Sequence, residues 1–276
     1  MHAPGTVGLL GRPTAEEEGF GLAEYANRLV ADCIDLIAAE TGCRRVFLAG
    51  HSLGGTLAAI FSALHPERVQ GLVLIAAPLH FGPGAIDHLL ATAPWVHLPT
   101  TLHDNVPGSF LNSIAVTASP EAFEWARWID WLASLADPEA LLTHMRVVRW
   151  ALDEMPVARQ LFGEVAGLLY HDDRFVRGEL TVGGRRASPK AVKTPVLSVA
   201  DPRCPIVPPE SVVPFHQVVR SADTRLLWYD GDTGVAVQHV GMLVGRTAHR
   251  NLWPQIIDWI YAHEGFGARR HAAKNP

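Results

Sequence analysis

Short apolar runs alternating with stretches of helical periodicity constrain the fold of this chain more than any other feature. Val46-Phe47-Leu48-Ala49 is apolar throughout and brief, which reads as a strand buried on both faces. Ahead of it, after the acidic run Glu16 to Glu18, Leu22, Tyr25, Ala26, Leu29, Val30, Cys33, Ile34 and Ile37 recur on one face of a helix. Behind it, residues 56–64 read as a second helix stopped by His65-Pro66, and residues 69–77 as a second strand. Helix, strand, helix, strand is the order of a parallel sheet covered by helices, so the fold class is α/β.

That alternation lapses at residue 79. Residues 79–190 read as helix-rich, with Phe123, Trp125, Trp128 and Trp131 on one helix. Aromatics at helical spacing are expected to pack into a core, with a pocket wall as the alternative. Glu179 to Val182, Gly183-Gly184 and then Arg185 read as a hairpin, because paired glycines supply the positive φ of a tight turn. Strands return at 195–200 and 225–229, and a helix at 252–263 carries Trp253, Ile256, Ile257, Trp259 and Ile260, with a frayed tail expected from Gly265. The expected organisation is a core made of residues 1–78 and 191–276, with 79–190 inserted as a helical cap.

Between the first strand and the second helix lies Gly50-His51-Ser52-Leu53-Gly54. A G-x-S-x-G sequence in a strand-turn-helix setting lifts the serine out at the carboxyl edge of the sheet, and the following helix aims its amino-terminal N–H groups at developing negative charge. Ser52 is therefore the candidate nucleophile and the Leu53 amide the candidate oxyanion donor; a chance glycine-rich turn is the alternative. Serine needs a base, and in this architecture the base is a late histidine. His239, in Val237-Gln238-His239-Val240-Gly241 before an expected helix, fits best among the 14 histidines; an ordinary loop histidine is the alternative. His51, beside the nucleophile on a turn, is expected to be structural. The acid belongs after strand 195–200, where Asp201 is the one carboxylate in Asp201-Pro202-Arg203-Cys204-Pro205-Ile206-Val207-Pro208. A turn-forming Asp before proline fits Asp201 equally well, and Asp230 and Asp232 are further candidates.

Composition narrows the function classes. The 276 residues are 48% apolar and 18% charged, enough for a sizeable core. Lys and Arg number 23 against 28 Asp and Glu, a net charge of -5 that gives no nucleic-acid footprint. Cys33, Cys43 and Cys204 lack the spacing of a zinc site or a disulfide framework, which fits a reducing compartment. The opening residues carry no leader pattern and no apolar run spans a bilayer, so a cytoplasmic protein that is not transmembrane is expected. With no P-loop, dinucleotide fingerprint or metal-ligand spacing, no cofactor is expected. Arg185 and Arg186 could meet ligand phosphates, but a structural role beside the hairpin turn is the expected one.

At these residues the chain resembles the catalytic domain of polyhydroxyalkanoate synthases, enzymes of the α/β-hydrolase fold that polymerise hydroxyacyl-coenzyme A thioesters. The likeness runs through residues 50–56, Leu64-His65-Pro66-Glu67-Arg68-Val69, Val106-Pro107-Gly108-Ser109-Phe110-Leu111-Asn112, Gly178-Glu179-Leu180, Val182-Gly183-Gly184-Arg185-Arg186, Ile206-Val207-Pro208-Pro209-Glu210-Ser211 and His239-Val240-Gly241. It implies the α/β-hydrolase fold, a nucleophile at Ser52, a general base at His239 and a cap over the site. The substrates it implies are a hydroxyacyl-coenzyme A, a polyester or a small ester, and the partners a homodimer mate or a polyester granule. Three departures stand out. The family's nucleophile is cysteine; serine forms an ester nearly level with a polyester bond, which favours hydrolysis. The family's catalytic aspartate falls on Cys204. Gly11-Arg12-Pro13-Thr14 resembles a family segment just after an early core strand, so upstream strands and one oxyanion donor are expected to be missing. The expected function is acyl transfer through a seryl ester. A serine carboxylic-ester hydrolase and a catalytically degenerate granule- or synthase-binding relative are the alternatives.

Overall fold

The computed structural model describes residues 12–82, 105–118, 120–153, 155–204 and 206–264. Gly11, Pro205 and the tail expected from Gly265 lie outside the described residues. The alternation read from the sequence is present, with ends shifted by a few residues. Helix α1 (Leu29–Thr41) precedes strand β1 (Val46–His51), helix α2 (Leu53–Leu64) and strand β2 (Val69–Ile75). A hairpin of β3 (Leu180–Val182) and β4 (Arg185–Ala187) follows much later, then β5 (Val196–Ala200) and β6 (Thr224–Trp228). Strands β1, β2, β5 and β6 form one parallel sheet in that spatial order.

Both faces of the sheet are covered, which explains the unbroken apolar runs. Leu72 and Leu74 of β2 join Leu22, Ala59 and Ile60 on one side. Val73 and Ile75 join Leu197, Val199, Met242, Ile256 and Trp259 on the other. The last two of these belong to the closing helix, Trp253–His263. Helix α2 is buried from Gly55 to Leu64 at every position but Leu57. At 25 cal/mol per Å² such apolar burial is the main driving term for the domain. Strand β1 is different: none of its residues is fully buried, and among the described residues its outer flank pairs with no strand.

Between β2 and β3 the described chain is helical: α3 (Gly108–Ala118), α4 (Ala126–Ser134), α5 (Pro138–Leu152) and α6 (Arg159–Glu164). A π-helical turn, Glu121–Trp125, runs directly into α4. Asp137 caps α5 by accepting from the amides of Glu139 and Ala140, with Pro138 in the first turn where its missing N–H costs nothing. The aromatic stripe departs in part from the expected core packing, for Phe123 and Trp131 are half-buried but the other two are not. Trp125 is 68% exposed and Trp128 58%, and Ile129 and Leu132 beside them are exposed too, whereas Asp130 and Ser134 are buried. Periodicity fixes which residues share a face but not which face turns inward, and polar bonds to Asp130 decide it in this helix.

Three helices complete the base: α7 (Val213–Val218), α8 (Gln238–Val244) and α9 (Trp253–His263). Arg185 donates to the Leu64 carbonyl at the end of α2 and Arg186 to the Gly178 carbonyl, so both arginines brace the hairpin.

Candidate active site

The turn between β1 and α2 is strained at one residue. Ser52 has φ 52° and ψ -129°, a region that non-glycine residues avoid and that persists only where surrounding structure enforces it. The enforcement is visible: the Ser52 amide donates to the Ile75 carbonyl, and the Thr56 hydroxyl donates to the Pro78 carbonyl at 2.6 Å. A Cβ at Gly50 would lie 2.5 Å from the Gly54 carbonyl, and one at Gly55 would lie 2.5 Å from the Ala77 Cβ. Gly54, the second glycine of the motif, meets nothing within 4 Å. The tightness of the bend therefore rests on Gly50 and Gly55. Among the described residues, the Ser52 hydroxyl and the Leu53 amide make no hydrogen bond, while the amides of Gly55 and Thr56 donate to the Ser52 carbonyl. Leu53 N–H, in the open first turn of α2, is free to meet an anion.

His239 opens α8 and is 7% exposed. Its imidazole lies against His51, with ring centroids 4.5 Å apart, and His51 Nε2 donates to the His239 carbonyl at 3.0 Å. The contact of His239 with the elbow thus runs through His51, the residue immediately before Ser52, and among the described residues no hydrogen bond joins the Ser52 hydroxyl to the His239 imidazole. The bond to the His239 carbonyl fixes His51 as the tautomer that carries its proton on Nε2. Burial lowers the pKa of His51; burial, then the neighbouring His51, pushes that of His239 down to about 3. Both shifts favour the neutral imidazole.

The nitrogen that a triad acid would meet, His239 Nδ1, faces Cys204 Sγ at 3.8 Å. Burial raises the pKa of that thiol, and its sulfur accepts the Val207 amide at 3.4 Å. Asp201 lines the same cavity as His239 but, among the described residues, makes no hydrogen bond to its imidazole. The Asp-Pro turn folds its carboxylate back so that Oδ1 accepts the Arg203 amide at 2.8 Å, while the buried Oδ2 has no partner among the described residues. Asp232 is occupied by the Tyr229 hydroxyl and the amides of Thr247 and Ala248, and Asp230 is exposed. A cavity of about 530 Å³ opens beside Asp201, Cys204, Asp230, Gln238 and His239, and Ser52 does not line it. Among the described residues no cluster of His, Cys, Asp or Glu is placed to hold a metal ion, and no helix is long and apolar enough to cross a membrane.

His51 has the structural role expected of it, but its partner, 188 residues away, carried no signal in the sequence. Sequence reasoning missed Asp130 and His144, whose buried bonds reach the loop before His239 with no local signature.

Comparison with known proteins agrees with this architecture. Residues 11–106 match the family model described as alpha/beta hydrolase fold. A poly(3-hydroxyalkanoate) polymerase subunit of Haloferax mediterranei is 26% identical over 91% of this chain and 50% of its own length. One from Haloarcula marismortui is 26% identical over 93% of this chain and 53% of its length. The chain spans about half the length of these curated relatives. Among solved structures, a monoacylglycerol lipase of Paleococcus ferrophilus superposes with a TM-score of 0.58 at 16% identity, covering 89% of this chain and 77% of the lipase. An enol-lactonase of Burkholderia xenovorans LB400 gives 0.52 at 14% identity, covering 91% and 74%. The chain has the α/β-hydrolase fold, and over most of its length its sequence is similar to the polymerase subunits of poly(3-hydroxyalkanoate) synthesis.

Proposed function

We propose that this chain is an acyl-transfer enzyme in which Ser52 attacks a hydroxyacyl thioester or ester and His239 carries the proton. One observation carries the reading: a strained serine at the strand-turn-helix bend, its hydroxyl without a hydrogen-bond partner among the described residues, with a neutral buried histidine held to the residue before it. The Ser52 Oγ–C bond forms as the C–S or C–O bond to the leaving group breaks. The hydroxyl proton passes to His239 Nε2, the ring nitrogen that Cys204 leaves open, and then to the departing thiolate or alkoxide. The acceptor, a hydroxyacyl chain end or water, releases the acyl group by the reverse proton path. Leu53 N–H is the oxyanion donor in this reading, and residues 79–190 are its cap.

Hydrolysis is the second reading, favoured by serine in place of a thiol nucleophile: a seryl ester lies near the level of the polyester bond, and water supplies the missing driving force. The thiol at the acid position favours a slow enzyme in either case, since a triad with its acid amidated loses about 10⁴ in rate. Granule association belongs to the same proposal, with the outward stripe of Trp125, Trp128, Ile129 and Leu132 as the surface that meets the polyester.

The test supplies 3-hydroxybutyryl-coenzyme A and p-nitrophenyl butyrate side by side, with fluorophosphonate labelling as the readout of the nucleophile. Polymer from the thioester supports polymerisation, and nitrophenol release alone supports hydrolysis. Both activities and the label are expected to vanish in Ser52→Ala. Labelling that survives this substitution, or turnover that does, removes Ser52 from the chemistry.

A further inference from the structure

The segment that carries His239 is held from the far side by a buried carboxylate on α4. Asp130 Oδ1 accepts the Gly234 amide at 2.8 Å, and Oδ2 accepts the Ala236 amide at 2.7 Å. Oδ2 also receives His144 Nδ1 of α5 at 2.8 Å. Asp130 is 9% exposed and His144 3%, so these bonds are shielded from water.

The loop they grip is not a relaxed one. Gly234 has φ 81° and Ala236 φ 57°, and Ala236 carries the steric penalty of a left-handed conformation without being glycine. The Val237 amide turns back to the Val235 carbonyl at 2.6 Å, and two residues later the chain enters α8 with His239. Gly234 sits so close to α5 that a Cβ there would collide with the backbone of Ala140. An amide without an acceptor in such a place is costly to bury, so the conformation depends on what accepts it.

We propose that Asp130, oriented by His144, is a positioning residue: its two bonds to the Gly234 and Ala236 amides set the place of the His239 imidazole. The proposal rests on the reading of Ser52 and His239 given above. It makes the α4–α5 pair part of the active-site machinery, so that a shift of these helices is passed to the base through two backbone hydrogen bonds. The pattern of one carboxylate, two amides and one imidazole is self-complementary: both carboxylate oxygens are used, and His144 supplies the remaining donor.

The test has two layers. In Asp130→Asn, one amide faces a donor instead of an acceptor; in Gly234→Ala, the same loop is pushed from α5 with Asp130 intact. Both are expected to speed hydrogen exchange at residues 234–237 and to shift the NMR resonances of the His239 ring, neither of which requires turnover. Both are also expected to lower kcat for p-nitrophenyl butyrate by about 10- to 100-fold with KM little changed, as misplacement of a catalytic group does. His144→Asn, which keeps a donor near the position of Nδ1, retains most of the rate, whereas His144→Leu behaves like Asp130→Asn. Unchanged exchange and ring resonances in Asp130→Asn overturn the proposal, as does a kcat that holds while exchange rises. If the wild-type chain neither turns over the ester nor takes the fluorophosphonate, the Ser52 reading fails, and the exchange and ring signals still decide whether Asp130 holds the His239 loop.

Discussion

Helix α2 is apolar on every side and α4 is amphipathic by spacing, and the two meet the rest of the molecule in opposite ways. Helix α2 turns Ala59, Ile60, Phe61 and Leu64 into the sheet until almost nothing of it meets solvent. Helix α4 turns Trp128, Ile129 and Leu132 outward and buries Asp130 and Ser134. The first is held by apolar area removed from water, the second by a few directed polar bonds to a loop of the base. A helix of the second kind has geometry to defend but little packing to lose.

The sharpest way to break this contrast is to truncate one side chain on each. Phe61→Ala, in the cluster with Ile34 and Val69, is expected to cost about 3–5 kcal/mol in urea unfolding. Trp128→Gln is expected to stay within about 0.5 kcal/mol. Equal losses would show that α4 is packed in solution and abolish the distinction.

Next comes the thiol behind His239. Cys204→Asp places a carboxylate against His239 Nδ1 and is expected to raise ester turnover by about 10- to 1,000-fold. With His239 titrating near 3, its protonation leaves the native enzyme's turnover unaffected between pH 5 and 8. The carboxylate lifts that pKa toward the ordinary histidine range, so the variant is expected to gain an acid limb near pH 6–7 in kcat/KM. A variant no faster than the parent would mean that the acid position is not what limits the rate.

The smallest effect concerns stability against acid. His239 is neutral when folded and takes up a proton near pH 6.5 when unfolded, so the unfolded state binds more protons as pH falls below 6.5, and stability drops until the folded-state pKa near 3 is reached. From pH 7 to pH 5 this one group is expected to remove about 2 kcal/mol, a fall in Tm of roughly 4–8 °C. His51 and His216, also lowered by burial, act in the same direction. His239→Gln is expected to recover its share of the loss in a thermal melt at pH 5, and an unchanged melt would assign the acid sensitivity elsewhere.

How much of this was legible in the sequence follows from how local each signal is. The strands, the helix after the motif, the paired-glycine hairpin and the elbow at Ser52 are written in runs of four to twelve residues, and all appear in place. Cys204 was marked by its place ahead of Ile206-Val207-Pro208, and the structure puts its sulfur beside the imidazole. What could not be read depends on partners far along the chain. Asp130 looks like a surface residue between Ile129 and Trp131 until the amides of Gly234 and Ala236, more than 100 positions later, arrive on its two oxygens. Asp201 opens the turn ahead of Pro202, and its Oδ1 is taken by the Arg203 amide two residues on, a local bond that the residue types alone leave open.

One feature of the sheet reaches beyond the monomer. The row of backbone donors and acceptors along β1 has hydrogen-bonded neighbours on the β2 side alone among the described residues, and the same strand runs straight into Ser52. A guest strand zipping onto that row would add its bonds residue by residue toward the bend and end within one step of the hydroxyl. Whatever pairs with β1 therefore meets the backbone that leads directly into the strained turn at Ser52.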